Sequence, residues 1–428
     1  MFGLLVILMG TGIPISFAFI FICIIGSYIF WGGEAGLEQL AMSFYSSVTN
    51  YNFLPIPLFI LMGDIVFSSG TGTRLIDAID QLLGRLPGRL SILAIGSGVL
   101  LGTMIGISGG SIGILGKVLV PEMSRRGYSK AMSIGPIISS GTLAILIPPS
   151  ALAVFLGAVA QVSIGKLLLA IILPGLLVAA LFIGYILIRC TLNPSLAPNY
   201  EVPEVPVAQK IRVVFTQIAP VVLVIFAVIG SVFTGIATPG ESAALGVIAC
   251  YILAAIYRKL SWDTIRVSAK DTIHVTVMIF FIVAGSISFS RILATTGAIT
   301  GLIAWATGLE VHPIMLVVAT QLILIFLGAF MDPASIVMIT VPVFLPLIKA
   351  LGYDTLWFAV ISLINIQLGL ISPPFGMDCF TMKAIAPSDV SIGDVFRSSM
   401  PFMFLGFLTM VLIMIFPQIG LFLPNLMQ

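Results

Sequence analysis

Two proline pairs, Pro148-Pro149 and Pro373-Pro374, interrupt the apolar stretches GTLAILIPPSA (141–151) and LGLISPPFG (368–376) and stand 225 residues apart. Proline inside a helix removes a backbone donor and costs about 3 kcal/mol, so each pair predicts an unwound stretch with unpaired peptide groups. In a membrane such groups are tolerated only where they line a cavity or find a ligand. Freed carbonyls suit a hard cation such as sodium, and the positive N-terminal ends of half-helices suit an anion. Two glycine-rich polar segments, GTMIGISGGSIG (102–113) and LGAFMDPASI (327–336), precede the breaks by the same interval. They predict turns at Ser108-Gly109-Gly110 and Asp332-Pro333. A tip opposite a break in each half gives two symmetry-related cation sites with a substrate cavity between them. A kink that only shapes packing competes with this reading at one pair and is weaker for two matched pairs.

The remaining polar residues allow two roles each. Asp332 serves the ion site or fixes the tip by capping helix N–H groups. Asp378 faces the substrate cavity or caps a helix, and Asn365 and Gln367 present amides to substrate or pack. Asp64 and Glu241, whose counterparts are Ser286 and Ser16, hold helices together or meet another subunit. His274 and His312 read as interfacial residues, not proton relays. No His/Asp/Glu cluster, Ser/His pair, HExxH or GxxxxGK[ST] loop is present, so the chain offers neither a membrane enzyme's centre nor an ATP-driven pump's phosphate cradle. The four cysteines, Cys23, Cys190, Cys250 and Cys379, form no CxxC and read as packing residues.

These groups need a membrane-spanning scaffold. The 428 residues are 59% hydrophobic and 8% charged, against about 25% charged in a soluble chain. A net charge of +2 and the lack of a basic run with interleaved aromatics leave nothing for nucleic acid to bind. Apolar segments fall near 1–11, 14–31, 53–68, 90–120, 131–160, 168–190, 211–235, 239–257, 272–292, 314–347, 355–385 and 400–424. The opening run lacks a charged n-region and reads as a membrane segment, not a cleaved signal peptide. Segments 90–120 and 314–347 overshoot a core of about 30 Å as straight helices, so each reads as a re-entrant hairpin.

A shift of 225 superposes Gly10 on Gly235, Pro14 on Pro239, Pro121 on Pro346 and Gly127-Tyr128 on Gly352-Tyr353. The expected organisation is a first repeat at 1–192 (hairpin about 90–120, broken helix about 131–160), a linker at 193–212 and a second repeat at 213–428 (hairpin about 314–347, broken helix about 355–385). The linker carries Pro194, Pro198, Pro203 and Pro206 around Glu201 and Glu204. Placing Arg125, Arg126 and Lys130 in the cytoplasm puts 16 of the 19 basic residues on that side and leaves Lys166, Arg291 and Lys349 opposite. Each unit then crosses an odd number of times. The fold class is an all-α polytopic membrane protein with two inverted-topology repeats, each with a re-entrant helical hairpin and a broken transmembrane helix, of the ion-transporter or elevator type. Amphipathic arms are expected at Thr71–Arg89 and Thr295–Val311.

At VPEMSRRGY (120–128), GTLAILIPPSA (141–151), VSIGKLLLAIILPGLL (162–177), GIATPGESAALGV (235–247) and ISPPFG (371–376), the chain resembles the large membrane subunit of TRAP (tripartite ATP-independent periplasmic) transporters, the DctM-like family. The resemblance implies a sodium-coupled importer subunit of the bacterial cytoplasmic (inner) membrane that carries a small organic acid, a carboxylate, by an elevator movement. It implies three partners: a small four-helix membrane subunit, a periplasmic substrate-binding protein and the lipid bilayer. Sodium ions would be the coupling ions, with no other cofactor. Carried over by position, the cation-site residues are Ser108, Gly109 and Gly110 facing Thr142, Pro148 and Ser150, and Gly328, Asp332 and Ser335 facing Gly369, Ser372 and Pro373. The substrate-binding residues are Pro149, Asn365, Gln367, Pro374, Gly376 and Asp378. The chain departs from the family at Gly110, where a serine is usual, at Asp378, where asparagine is common, and at Gly240, where threonine is usual. FTMKAIAP (380–387) is similar to the branch associated with bulkier carboxylates. A stand-alone ion-coupled carboxylate carrier without a binding protein is the alternative, and a channel has no need of inverted hairpins.

Overall fold

The computed structural model describes residues 1–428 apart from 2, 6, 7, 9, 10, 12, 107, 199, 201–204 and 428, and for residue 105 its backbone alone. Much of the apolar segment 1–11, Gly10 and the linker residues Glu201, Pro203 and Glu204 therefore lie outside the described residues. In chain order the helices are α1 (Ile15–Phe30), α2 (Glu34–Val48), α3 (Pro55–Ser68), α4 (Thr71–Leu82), α5 (Arg89–Ile105), α6 (Ser108–Arg125), α7 (Lys130–Leu146), α8 (Ala151–Ala160), α9 (Ile164–Ala170) and α10 (Ile172–Leu192). They continue as α11 (Val207–Val213), α12 (Ala219–Phe233), α13 (Pro239–Ile256), α14 (Trp262–Thr295), α15 (Ala298–Thr307), α16 (Pro313–Gly328), α17 (Pro333–Ala350), α18 (Thr355–Gly369), α19 (Met377–Ile385), α20 (Ile392–Ile415) and α21 (Gln418–Asn425). No strand occurs among the described residues. Among the described residues, seven helical stretches are long and apolar enough to cross a membrane, or eight if α7 and α8, bent by 43°, count as one broken span.

The core lies around α7 and α18. Every residue of α7 from Met132 to Leu146 and of α18 from Trp357 to Gly369 is buried, so these helices have no lipid-facing stripe. Small residues allow neighbouring backbones to close on them. A Cβ on Gly102 of α5 would lie 2.6 Å from the Ala144 Cα of α7, and one on Gly328 of α16 would lie 2.8 Å from the Gly369 Cα of α18. The two contacts occupy matching places in the two halves. α5 and α6 pack on α7, and α16 and α17 pack on α18. Beyond the breaks the pattern crosses over, because α6 packs on α19 and α17 packs on α8.

A second group surrounds the long α14, which packs on α1, α2, α3 and α17. Its 34 residues exceed the expected 272–292, because the Ser261 hydroxyl accepts from Thr264 N and caps a helix that starts outside the apolar stretch. Helix α2 was not expected. Its Glu34, Glu38 and serines kept it below the hydropathy of a span, yet Ser43 bonds Ser288 of α14 at 2.8 Å. The Asp64 Oδ2 accepts from the Thr272 hydroxyl at 2.7 Å and joins α3 to α14. Glu241 instead closes a capping box with Thr238 at the start of α13. The linker is not a free tether throughout. The Leu196 carbonyl accepts from Ser129 N, the Tyr200 hydroxyl accepts from Arg89 Nη1 at 2.7 Å, and the Arg126 guanidinium lies 3.5 Å from the Tyr200 ring centroid. Arg126, with Arg125, also holds the nearby Glu122 carboxyl below its ordinary value through direct hydrogen bonds.

Candidate functional site

The first tip turns earlier than its sequence implies. Gly106, at φ +66°, ends α5 with its N–H donating to Gly102 O, the left-handed glycine stop expected after a helix. Ser108, Gly109 and Gly110 therefore form the opening turn of α6, not the loop itself. A Cβ on Gly106 would lie 3.5 Å from Ala151 N and 3.9 Å from Pro149 O, so this tip sits beside the first break. The second tip follows its sequence: Asp332 caps α17, accepting from Ser335 N at 3.0 Å and from the Ser335 hydroxyl, with Pro333 as the first helical residue.

Both breaks carry a cis bond between their prolines. The first runs from Ile147 to Ser150, all buried, and the Ser150 hydroxyl caps α8 by accepting from Ala153 N at 3.2 Å. The second is longer, from Leu370 to Gly376, and exposes Pro373, Pro374 and Phe375. Gly376, at φ +34°, precedes α19, and Asp378 N donates back to Leu370 O at 3.1 Å. Thr142 donates to Ser139 O at 2.6 Å and Ser372 to Gly369 O at 3.0 Å. A hydroxyl that donates in this way keeps its oxygen as an acceptor, so these side chains remain compatible with cation binding.

The two tips, with Ile145 and Ala151 flanking the first break and Leu370 of the second, line one cavity of about 280 Å³. Four helix N-termini reach it: those of α6 at Ser108, α8 at Ala151, α17 at Pro333 and α19 at Met377. Of the sequence-derived candidates, Ser108, Gly109, Asp332 and Asp378 line it. Asp378 is 3% exposed. Its Oδ1 accepts from the Ser108 hydroxyl at 2.8 Å, while Oδ2 has no partner among the described residues. Ile60 of α3 and Val275, Met278 and Ile279 of α14 close the opposite wall. Sequence reading missed this wall, because nothing in an apolar helix face distinguishes a cavity lining from a lipid contact.

Asn365 does not line this cavity. Its Nδ2 donates to Gln321 O at 2.6 Å and to Gln321 Oε1 at 2.8 Å, clamping α18 to α16. Gln367 is buried with neither amide atom paired among the described residues, and it does not line the cavity. Gly328 and Gly369 meet each other backbone to backbone. His312 caps α16 with its ring accepting from Ile314 N, and His274 lies exposed along α14. A larger cleft of about 830 Å³ lies between residues 50–55, the α8–α9 turn and the 235–238 loop with the first turn of α13, and it reaches neither tips nor breaks.

The family model for the tripartite ATP-independent periplasmic transporter, DctM component, matches residues 2–419. The C4-dicarboxylate TRAP transporter large permease protein DctM of Pseudomonas aeruginosa is 28% identical over 392 residues, covering 91% of this chain and 90% of that protein. The ectoine TRAP transporter large permease protein TeaC of Halomonas elongata is 31% identical over 428 residues, covering 100% of this chain and 97% of that protein. Among solved structures, the YdaH transporter of Alcanivorax borkumensis shares the fold with a TM-score of 0.68 at 14% identity, covering 95% of this chain and 97% of that one.

Proposed function

The chain belongs to the DctM component family of tripartite ATP-independent periplasmic transporters, a multi-pass bacterial inner-membrane permease family, and on that premise we propose that it is the sodium-coupled importer subunit for a small organic acid delivered by a periplasmic binding protein. One observation carries this reading: both tips, four helix N-termini and residues flanking both breaks line a single cavity. Helix N-termini favour a carboxylate through their free N–H groups and dipole. In the second break Leu370 O accepts from Asp378 N and Ile371 O from the Ser399 hydroxyl, so the oxygens of Ser108, Ser150, Asp332, Ser335 and Ser372 are the hard ligands offered to sodium. Cation and anion are then bound side by side, so each lowers the cost of burying the other, which is the physical basis of coupling.

The cavity has one wall from the tip-bearing helices and one from α3 and α14. That division supports an elevator movement in which the tip-bearing group carries cargo past α14, with α4 and α15 as connecting arms. Exposed apolar residues on α12 and α13, among them Leu223, Phe226, Leu245 and Ile248, offer a surface suited to lipid and to a small four-helix membrane subunit. The carboxylate cargo of the Pseudomonas relative and the ectoine of the Halomonas relative both fit the class of small organic acids.

The test is uptake of a radiolabelled acid by proteoliposomes holding this chain and its small membrane partner, with and without the binding protein and an inward sodium gradient. Uptake that requires both supports the proposal. Uptake that persists without the binding protein assigns the stand-alone carrier instead.

A further inference from the structure

A separate pocket of about 450 Å³ lies away from the tips and breaks, where the arm α4 meets the roots of α12 and α13. Arg74, Asp77 and Gln81 line it from α4, Thr216 and Gln217 from one turn of π-helix at Val214–Ile218, and Tyr257 from the residue after α13. Among the described residues, no aliphatic side chain lines it. Its level is that of lipid headgroups. Thr216 falls near the start of the apolar span Val207–Phe233, and Tyr257 stands one residue past the span Pro239–Ile256. The exposed Trp262, five residues further on, is an anchor of the kind found at membrane–water interfaces. The Tyr257 hydroxyl donates to Thr216 O at 3.0 Å, which fixes the two span roots to each other, and Gln209 Nε2 donates to Gln81 Oε1 at 3.4 Å, which ties the arm to them. Isolated π turns of this kind recur at functional sites.

The pocket carries two opposite charges that are not spent on each other. Residues three apart on a helix are neighbours, and Asp–Arg pairs form readily there. Yet neither Arg74 nor Asp77 forms an ion pair among the described residues. The Arg74 guanidinium lies instead 5.0 Å from the Tyr257 ring centroid. Stacking engages the face of a guanidinium and leaves its in-plane N–H groups free to donate to a phosphate. The Asp77 carboxylate suits an ammonium that donates N–H bonds. Lys210 and Arg212 precede the π turn, and Arg258 and Lys259 follow Tyr257. Those four favour any anionic lipid, whereas Asp77 opposes a head that carries negative charge alone. Leu223, two turns past Thr216 on α12, is exposed, so an acyl chain can follow that face toward the hydrocarbon core. We infer that the pocket binds the zwitterionic phosphoethanolamine headgroup of a membrane phospholipid, with its phosphate on Arg74 and its ammonium on Asp77. The seated headgroup braces α4 against the roots of α12 and α13, so the lipid composition of the membrane sets how firmly the arm is held.

Lipid titration of the delipidated full chain, purified with its small membrane partner and read by native mass spectrometry, tests the assignment. The probes are dioctanoyl phosphatidylethanolamine, dioctanoyl phosphatidylcholine, dioctanoyl phosphatidylglycerol and the chain-free sn-glycero-3-phosphoethanolamine. Choline keeps the positive charge but has no N–H to donate, and the glycerol head has no cation. The expected wild-type result is half-saturation at least about ten-fold lower for phosphatidylethanolamine than for each of the other three, the size of one charge-assisted hydrogen bond. Asp77→Asn is expected to bring the three lipids within about three-fold of one another, and Arg74→Gln to weaken phosphatidylethanolamine at least about five-fold. Both residues are exposed on α4, where substitutions change stability little, and melting of each variant checks that it is folded. The wild-type ranking stands as a test even where a variant fails to fold. Phosphatidylglycerol binding as tightly as phosphatidylethanolamine overturns the inference and assigns the rim to anionic lipid in general. Equal binding of phosphatidylcholine overturns it because the ammonium is then not read. A chain-free headgroup that binds as tightly as the lipid overturns it and makes the ligand a soluble one. A folded Asp77→Asn protein with the preference intact, or a folded Arg74→Gln protein with unchanged affinity, also overturns it. Each of these outcomes leaves the transporter reading standing.

Discussion

The Ser108 hydroxyl donates to Asp378 Oδ1 at 2.8 Å across 270 residues of sequence. It joins the tip of the first half to the broken helix of the second. The site is therefore not two independent half-sites but one assembly in which each half supplies part of the other's surroundings, as the packing of α6 on α19 and α17 on α8 repeats at larger scale.

Replacing Ser108 with Ala leaves Asp378 without its only described side-chain donor. A buried acceptor that loses its partner costs about 1–3 kcal/mol, so Ser108→Ala is expected to melt earlier and take up substrate more slowly. Ser108→Thr keeps the hydroxyl and is expected to recover most of both. Melting in detergent and proteoliposome uptake on one preparation check this, and an Ala variant equal to wild type in both would detach the bond from function.

At the Gly328–Gly369 contact there is no room for a methyl group. A Cβ on Gly369 would meet Gly328 Cα at 2.5 Å, and overpacking of this kind costs about 1–3 kcal/mol. Gly369→Ala is expected to lower the melting temperature. Gly184→Ala, in a helix with nothing near the added carbon, is expected to leave it unchanged or raise it. Equal melting of the two variants would show that the backbone contact does not hold α16 to α18.

Asp332 separates capping from charge. Asp332→Asn keeps a good cap while removing the charge, whereas Asp332→Ala loses the cap at about 0.5–2 kcal/mol. The Asn variant is expected to fold as stably as wild type but to need several-fold more sodium for half-maximal uptake. Unchanged sodium dependence in the Asn variant would leave Asp332 a cap alone.

Thr272→Val removes the donor that Asp64 accepts at 2.7 Å between α3 and α14. Loss of about 1–3 kcal/mol is expected from the orphaned carboxylate, and the double variant Asp64→Leu with Thr272→Val is expected to regain much of it. Thermal unfolding of the two proteins measures the difference. A double variant no better than the single would mean that Asp64 has another partner.

Much of this architecture was legible because proline and glycine act locally. Helices stop just before Pro148-Pro149 and Pro373-Pro374 and one starts at Asp332-Pro333, whereas lone prolines such as Pro121 and Pro136 lie inside helices. Gly106 was overlooked beside the more conspicuous Ser108-Gly109-Gly110, although a single left-handed residue suffices to turn the chain. Asn365 looked available because its partner Gln321 lies on another helix, and sequence spacing holds no record of which helices touch. The bond from Ser108 to Asp378 was hidden for the same reason. Helix α2 went unseen because three of the four residues on its buried face, Gly36, Ser43 and Ser47 beside Leu40, are ones that hydropathy counts as polar.

Tyr200 has one more consequence. It is pinned by Arg89 and Arg126, and the chain rejoins helix at Val207. Fully stretched, the intervening backbone reaches about 25 Å. While the arginines keep their grip, that length caps how far Tyr200 and Val207 can part in the elevator movement proposed above.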